Sequence, residues 1–133
     1  ESFYSLSNRN VVRGMHYQEP PRDTAKLVSV IQGAIQDVIV CVDSNLLNVD
    51  FGAYAEFNLT AQNLRSLYIP KGYAHGFRAL EDNTIVAYLC SEIYSPPHYK
   101  GIRFDSFGFD WNIEDPLISK KDMELPLLSS LVK

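Results

Sequence analysis

Lys26-Leu27-Val28-Ser29-Val30-Ile31-Gln32-Gly33-Ala34-Ile35-Gln36-Asp37-Val38-Ile39-Val40-Cys41-Val42 is the stretch on which the fold is read. Two runs dense in β-branched side chains, 26–31 and 34–42, flank Gln32-Gly33. Such residues suit a pleated, half-buried surface, and glycine supplies the backbone freedom of a tight turn. The spacing predicts a hairpin in which Val28 lies opposite Asp37 and Lys26 opposite Ile39. Lys26 and Asp37 then share a face as diagonal neighbours, roughly 7–8 Å apart at the backbone. Charges set into apolar strands cost free energy unless paired. A structural ion pair and an active-site pair on a concave face are both open at this point.

Outward from the hairpin, the chain reads as short strands punctuated by turn residues, the pattern of a β-barrel or sandwich. Residues 10–18 form a first strand, ended by Glu19-Pro20-Pro21-Arg22-Asp23, and further strands are expected over 54–59, 66–69 and 84–90. Pro70-Lys71-Gly72 makes a turn, and Ser95-Pro96-Pro97 breaks the sheet. In the tail, Asp115-Pro116 and Ser119-Lys120-Lys121-Asp122 look like helix starts, so short helices or turns are expected there. The chain of 133 residues fits one domain, and its 46% hydrophobic content is enough to bury a core without staples.

Composition also limits the partners. The net charge is −4 and no basic run tracks a phosphate backbone, which argues against nucleic acid. No apolar run approaches membrane-spanning length, and no secretory signal is visible. Cys41 and Cys90 sit among apolar neighbours outside any CxxC pair, and read as reduced core thiols of an intracellular, cytoplasmic protein.

Three histidines are present. Two occupy distinctive settings, Arg13-Gly14-Met15-His16-Tyr17-Gln18 and Pro70-Lys71-Gly72-Tyr73-Ala74-His75-Gly76-Phe77. The second resembles the Pro-x-Gly-x-x-His element of cupin barrels. Metal-binding cupins carry His-x-His followed by Glu in the first element, whereas here Gln18 replaces the second His. Two histidines without a carboxylate partner make a poor divalent-metal site, so a metal-free barrel is expected. In a straight strand Arg13 faces away from His16, and a shared site requires a bulge, which Gly14 can supply. Tyr88 reads equally as an ordinary strand aromatic. Asp122, three residues after Ser119, reads as the acidic member of a capping box.

Taken in order, 10–18 with Lys26-Leu27-Val28 resembles the Asn-Val-Leu-Arg-Gly-Leu-His-Tyr-Gln and Lys-Leu-Val stretches of the dTDP-4-dehydrorhamnose 3,5-epimerase family. The segments 33–38 and 59–77, Tyr88, Tyr94-Ser95-Pro96, Gly108-Phe109-Asp110-Trp111 and 119–122 resemble later family motifs in the same order. The resemblance implies a mainly β, double-stranded β-helix of the cupin or jelly-roll type with short C-terminal helices, acting without a cofactor. It implies His16 as base oriented by Asp122, Lys26 as partner of an enolate oxygen, and Tyr88 as acid from the opposite face. Arg13, Gln18, His75 and Tyr94 would meet the nucleotide sugar, with Asp37 near Lys26. A homodimer at least is expected, with exposed sheet edge or apolar surface where the family's N-terminal strands would pack, because an unprotected edge strand invites pairing with another chain.

The family carries additional strands before the Arg-Gly-x-His motif, whereas twelve residues precede Arg13 here. Glu1, Phe3 and Tyr4 stand where the family tends to have polar site residues, and Ile93 where it often has an aromatic. Alternatives are a single-carbon epimerase on another nucleotide-linked 4-keto sugar, and a non-catalytic sugar-nucleotide-binding barrel.

Overall fold

A computed structural model describes residues 1–132. Nine strands run in the order β1 Ser2–Ser7, β2 Val12–Gln18, β3 Lys26–Gln32, β4 Ala34–Cys41, β5 Tyr54–Thr60, β6 Ser66–Ile69, β7 Tyr73–Ala79, β8 Thr84–Cys90 and β9 Tyr99–Gly101. A short helix, α1 Lys120–Met123, and two 3₁₀ turns, Pro96–His98 and Leu128–Leu131, are the other regular elements among the described residues. The strands form two antiparallel sheets, ordered β1-β8-β3-β6 and β5-β4-β7-β2-β9.

The expected hairpin is corrected. β3 and β4 have their expected starts, but they lie in different sheets. Lys26 pairs with Ile69 and Cys90, while Asp37 pairs with Phe57 and Phe77. Gly33, at φ 85°, turns the chain from one sheet to the other and packs against Thr84, leaving no room for a side chain. β-Branched runs stabilise strands without saying which neighbour they pair with, and both partners here come from far along the sequence.

Alternation then fixes which side chains meet between the sheets. On β3, Val28 and Val30 point inward and Lys26 shares their parity, while Leu27 and Ile31 are exposed outside. On β4 and β7, Ile35 and Phe77 join the inter-sheet core with Val86 and Tyr88. The outer face of the five-stranded sheet buries Val38, Val40, Ala74 and Met15 beneath Phe104, Phe107 and Trp111 of the C-terminal segment. That cover explains why β4 is apolar on both faces. Among the described residues, the outer face of the four-stranded sheet has no such cover and exposes Tyr4, Leu6, Leu27, Ile31, Tyr68 and Leu89.

Cys41 and Cys90 are buried free thiols. The tail bears out short helical turns at α1 and 128–131 but not at Asp115-Pro116. There, Leu117 forms a parallel bridge with Val11, held by Val12 N–H to Leu117 O (3.0 Å) and Leu117 N–H to Asn10 O (2.9 Å). Backbone pairing has displaced the helix start. Among the described residues, no helix is long and apolar enough to cross a membrane.

Candidate active site

The site begins with a defect in pairing. Arg13 is opposite Phe77 and His16 opposite His75, so Gly14 and Met15 together face Gly76 alone. This bulge brings Arg13 and His16 to the same side, as the sequence required. The strands approach so closely that a Cβ on Gly76 would lie 2.6 Å from the Arg13 carbonyl oxygen.

Asp122 combines two roles. Its backbone N–H donates to Ser119 Oγ (3.1 Å), the cap expected from the sequence. Its carboxylate accepts from Gly14 N–H (3.1 Å) and lies 2.7 Å from His16 Nε2. Burial acts to raise the Asp122 carboxyl, but the His16 hydrogen bond, His16's charge, the Gly14 N–H and Arg13 hold it below its ordinary value. An ionised Asp122 accepts the Nε2 proton and leaves Nδ1 of a neutral His16 ring as a lone-pair acceptor.

Tyr88 enters from the other sheet. Its backbone is flanked by Phe3 and Val28, and the Phe3 ring stacks on it with centroids 4.6 Å apart and planes 12° from parallel. Its hydroxyl lies 3.4 Å from Ser5 Oγ. Burial pushes the phenol well above its ordinary range, and Ser5 and Arg13 offset this only in part. Lys26 projects inward from the same sheet. Burial lowers its pKa, and Cys90 and Asp37 pull it back upward.

Asp37 is fully buried, with Oδ2 2.7 Å from His75 Nε2 and Oδ1 lacking a hydrogen-bond partner. The expected sharing of one strand face with Lys26 is therefore replaced. The two approach from opposite sheets, and the hydrogen bond of Asp37 goes to His75.

Arg13, His16, Lys26, His75, Tyr88 and Asp122 line one cavity of about 230 Å³, with Phe3, Ser5 and Tyr99. An adjoining cleft of about 70 Å³ reaches Lys26 and Cys90 between Phe3, Tyr17, Tyr94 and Tyr99. Arg13 is anchored by Nε donating to Ser7 Oγ (2.8 Å) and Nη2 to Leu6 O (3.1 Å). Gln18 also lines the adjoining cleft. Its Nε2 donates to the carbonyls of Arg22 (2.7 Å) and Ile93 (3.2 Å), and its Oε1 accepts from Ser95 N–H (2.8 Å), so the amide ties loops together. Tyr94 is half-exposed and meets Tyr99 edge-on.

Ser5 and Tyr99 were not singled out from the sequence, and Phe3 was noted only as an apolar residue at a position where the family tends to have a polar one. Phe3 and Ser5 belong to the alternation of β1, whose inward face ends in Ser5 and Ser7 and so lacks the apolar signal of a core strand. Tyr99 follows Pro96-Pro97 with no motif of its own, yet its ring tilts against His16 at 5.2 Å.

Chemically, a histidine-carboxylate pair stands on one wall, a neutral phenol on the opposite wall, and an ammonium beside the phenol. Among the described residues, no three His, Cys, Asp or Glu side chains cluster so as to hold a metal ion.

Known proteins share this fold. The family model of dTDP-4-dehydrorhamnose 3,5-epimerase matches residues 1–130. The Methanothermobacter thermautotrophicus dTDP-4-dehydrorhamnose 3,5-epimerase is 44% identical over 124 residues, covering 89% of this chain and 65% of that protein. The chain thus spans a little under two thirds of that relative. The enzyme of that name from Bacillus anthracis, solved with TDP and PPi bound, superposes with TM-score 0.90 at 37% identity, covering 96% of this chain and 73% of that one. The Legionella pneumophila dTDP-6-deoxy-D-glucose-3,5-epimerase, solved with dTDP-4-keto-L-rhamnose, gives 0.89 at 33% identity, covering 97% and 69%. Fold, motif order and whole-chain match agree: the chain belongs to the dTDP-4-dehydrorhamnose 3,5-epimerase family.

Proposed function

We propose that this chain is an isomerase that inverts carbon centres beside the ketone of a nucleotide-linked 4-keto-6-deoxy sugar, converting dTDP-4-dehydro-6-deoxyglucose to dTDP-4-dehydrorhamnose. The observation that carries this reading is the placement of His16 and Tyr88 on opposite walls of one cavity. Inversion next to a ketone requires a base on one face of the carbon and an acid on the other. His16 takes the proton, and Asp122 orients the ring and stabilises the imidazolium. Lys26 faces the oxyanion as charge develops on it. Tyr88, held protonated by burial, returns a proton to the opposite face. Arg13 suits the anionic diphosphate, and the aromatic cleft at Tyr94 and Tyr99 suits a ring of the nucleotide.

The uncovered face of the four-stranded sheet supports a homodimer, because exposed apolar patches of this kind mark protein contacts. Two unpaired buried thiols suit a reducing compartment, so the cytoplasm is the proposed location.

The test is epimerisation of dTDP-4-keto-6-deoxyglucose in heavy water, with deuterium read separately at C3 and C5. His16→Ala abolishes exchange and turnover together. Tyr88→Phe lowers inverted product by roughly 10²–10⁴-fold, while exchange from the His16 side with retained configuration persists. Equal behaviour of the two variants would remove the two-face assignment, and an inactive unmodified protein would leave the binding-barrel alternative.

A further inference from the structure

Each inversion leaves the site in the wrong state for the next. His16 gains a proton from carbon and Tyr88 loses one to carbon, so the pair ends as imidazolium and phenolate. His16 is partly exposed, with 23% of its side chain open, and can discharge to water. Tyr88 lines the same cavity but is far more enclosed, and a bound sugar would stand between it and bulk water. It is 9% exposed, one ring face lies flat on Phe3, and its ring edge meets His75 at 6.2 Å. Among the described residues, the one hydrogen-bonding partner of its hydroxyl is Ser5 Oγ.

We propose that Ser5 relays the replacement proton to Tyr88, and that this resetting allows two carbons of one bound sugar to be inverted without release. The proposal rests on the epimerase reading above. In the step, the Ser5 O–H bond breaks as the Tyr88 O–H bond forms, and the Ser5 oxygen takes a proton from water. The hydroxide left behind is neutralised by the proton that His16 discharges, so one proton has passed in net terms from imidazolium to phenolate and no charge is left on serine. Ser5 acts through Tyr88 and does not touch the reacting carbon. It is placed for this by strand register. Phe3 is opposite Tyr88 on β1, and Ser5, two residues on, shares its inward face and lines the same cavity while remaining partly exposed. The 3.4 Å separation is longer than a compact O–H···O bond. Such contacts tighten when substrate fills an apo site. Burial makes the phenolate costly, which gives the return of a proton a strong driving force.

The experiment compares first and later turnovers in the intact chain. With enzyme in excess, Tyr88 begins protonated, and Ser5→Ala inverts the first carbon within about twofold of the unmodified rate, while steady-state turnover falls roughly 10- to 100-fold, less than the 10²–10⁴-fold of losing the acid itself. Singly inverted product accumulates in the variant. Ser5→Thr, which keeps the hydroxyl, restores the later turnovers, and Ser5→Ala adds nothing in a Tyr88→Phe background. An equal loss in first and later turnovers makes Ser5 a packing residue and overturns the relay, as does unchanged steady-state turnover. An unmodified protein that inverts neither carbon overturns the underlying epimerase reading and the relay with it, an outcome distinct from failure of the serine variant alone.

Discussion

Lys26 shows most directly what the site costs the fold. An ammonium among Val28, Tyr88 and Cys90 is desolvated, and no carboxylate lies within ion-pair distance among the described residues. Its folded-state pKa lies below the unfolded value, so between the two the unfolded chain binds more protons and stability rises with pH. Lys26→Met should therefore raise stability at neutral pH by on the order of 1 kcal/mol while abolishing turnover. The stability gain should shrink as pH approaches the ordinary lysine range. Denaturant melts of both proteins from pH 7 to pH 10 check this, and a variant less stable at pH 7 would contradict it. At this scale the site was legible where a residue type clashed with its surroundings. Lys26 stood out in an apolar run, and His16 beside Arg13-Gly14. Ser5 and Phe3 stand in an unremarkable alternation, and nothing local distinguishes a serine that lines a cavity from one on a surface.

At the scale of elements, the bulge between β2 and β7 is the device that makes Arg13 and His16 serve one cavity. It depends on Gly76, where an added methyl would sit 2.6 Å from both the Arg13 carbonyl oxygen and Met15 Sδ. Gly76→Ala should cost about 1–3 kcal/mol, the range for overpacking, seen as a lower denaturation midpoint with unchanged slope. Activity should fall further than stability accounts for, because the Gly14 N–H that holds Asp122 lies in the same bulge. Strand positions were readable here because β-branched density and punctuation are local properties. Strand partners were not. The turn at Gln32-Gly33 has the composition of a hairpin, yet its glycine carries the chain between sheets, and only the distant pairings of β3 with β8 and β4 with β7 settle the matter.

Across the whole molecule the two sheets are unequally clothed. The C-terminal segment covers the five-stranded sheet, whereas on the four-stranded sheet Leu27 aligns with both Leu89 and Tyr68 in an open apolar surface. The proposed homodimer uses that surface. Leu89→Lys should then shift the protein to monomer at micromolar concentration in sedimentation equilibrium, with the cavity intact because Leu89 points outward. A monomeric unmodified protein would remove the dimer. The barrel architecture was legible from the spacing of strands and the histidine motifs, but the uneven cover was not, since it depends on where the aromatic residues of the tail come to rest.

The separation of His16 from Asp122 by 106 residues also sets an order of events as the chain is made. A nascent chain that has emerged as far as β7 holds both His16 and His75, and can join them in one sheet. It still lacks the Tyr88 wall, the β8 pairing that fixes β1, and the carboxylate that orients His16. Contacts between such distant segments form late, because a long loop must close before they are rewarded. Once β8 has paired with β1 but before Asp122 arrives, the cavity is walled while His16 lacks the carboxylate that orients it. The ability to move protons arrives with the segment that carries Asp122, after the nine strands have been made.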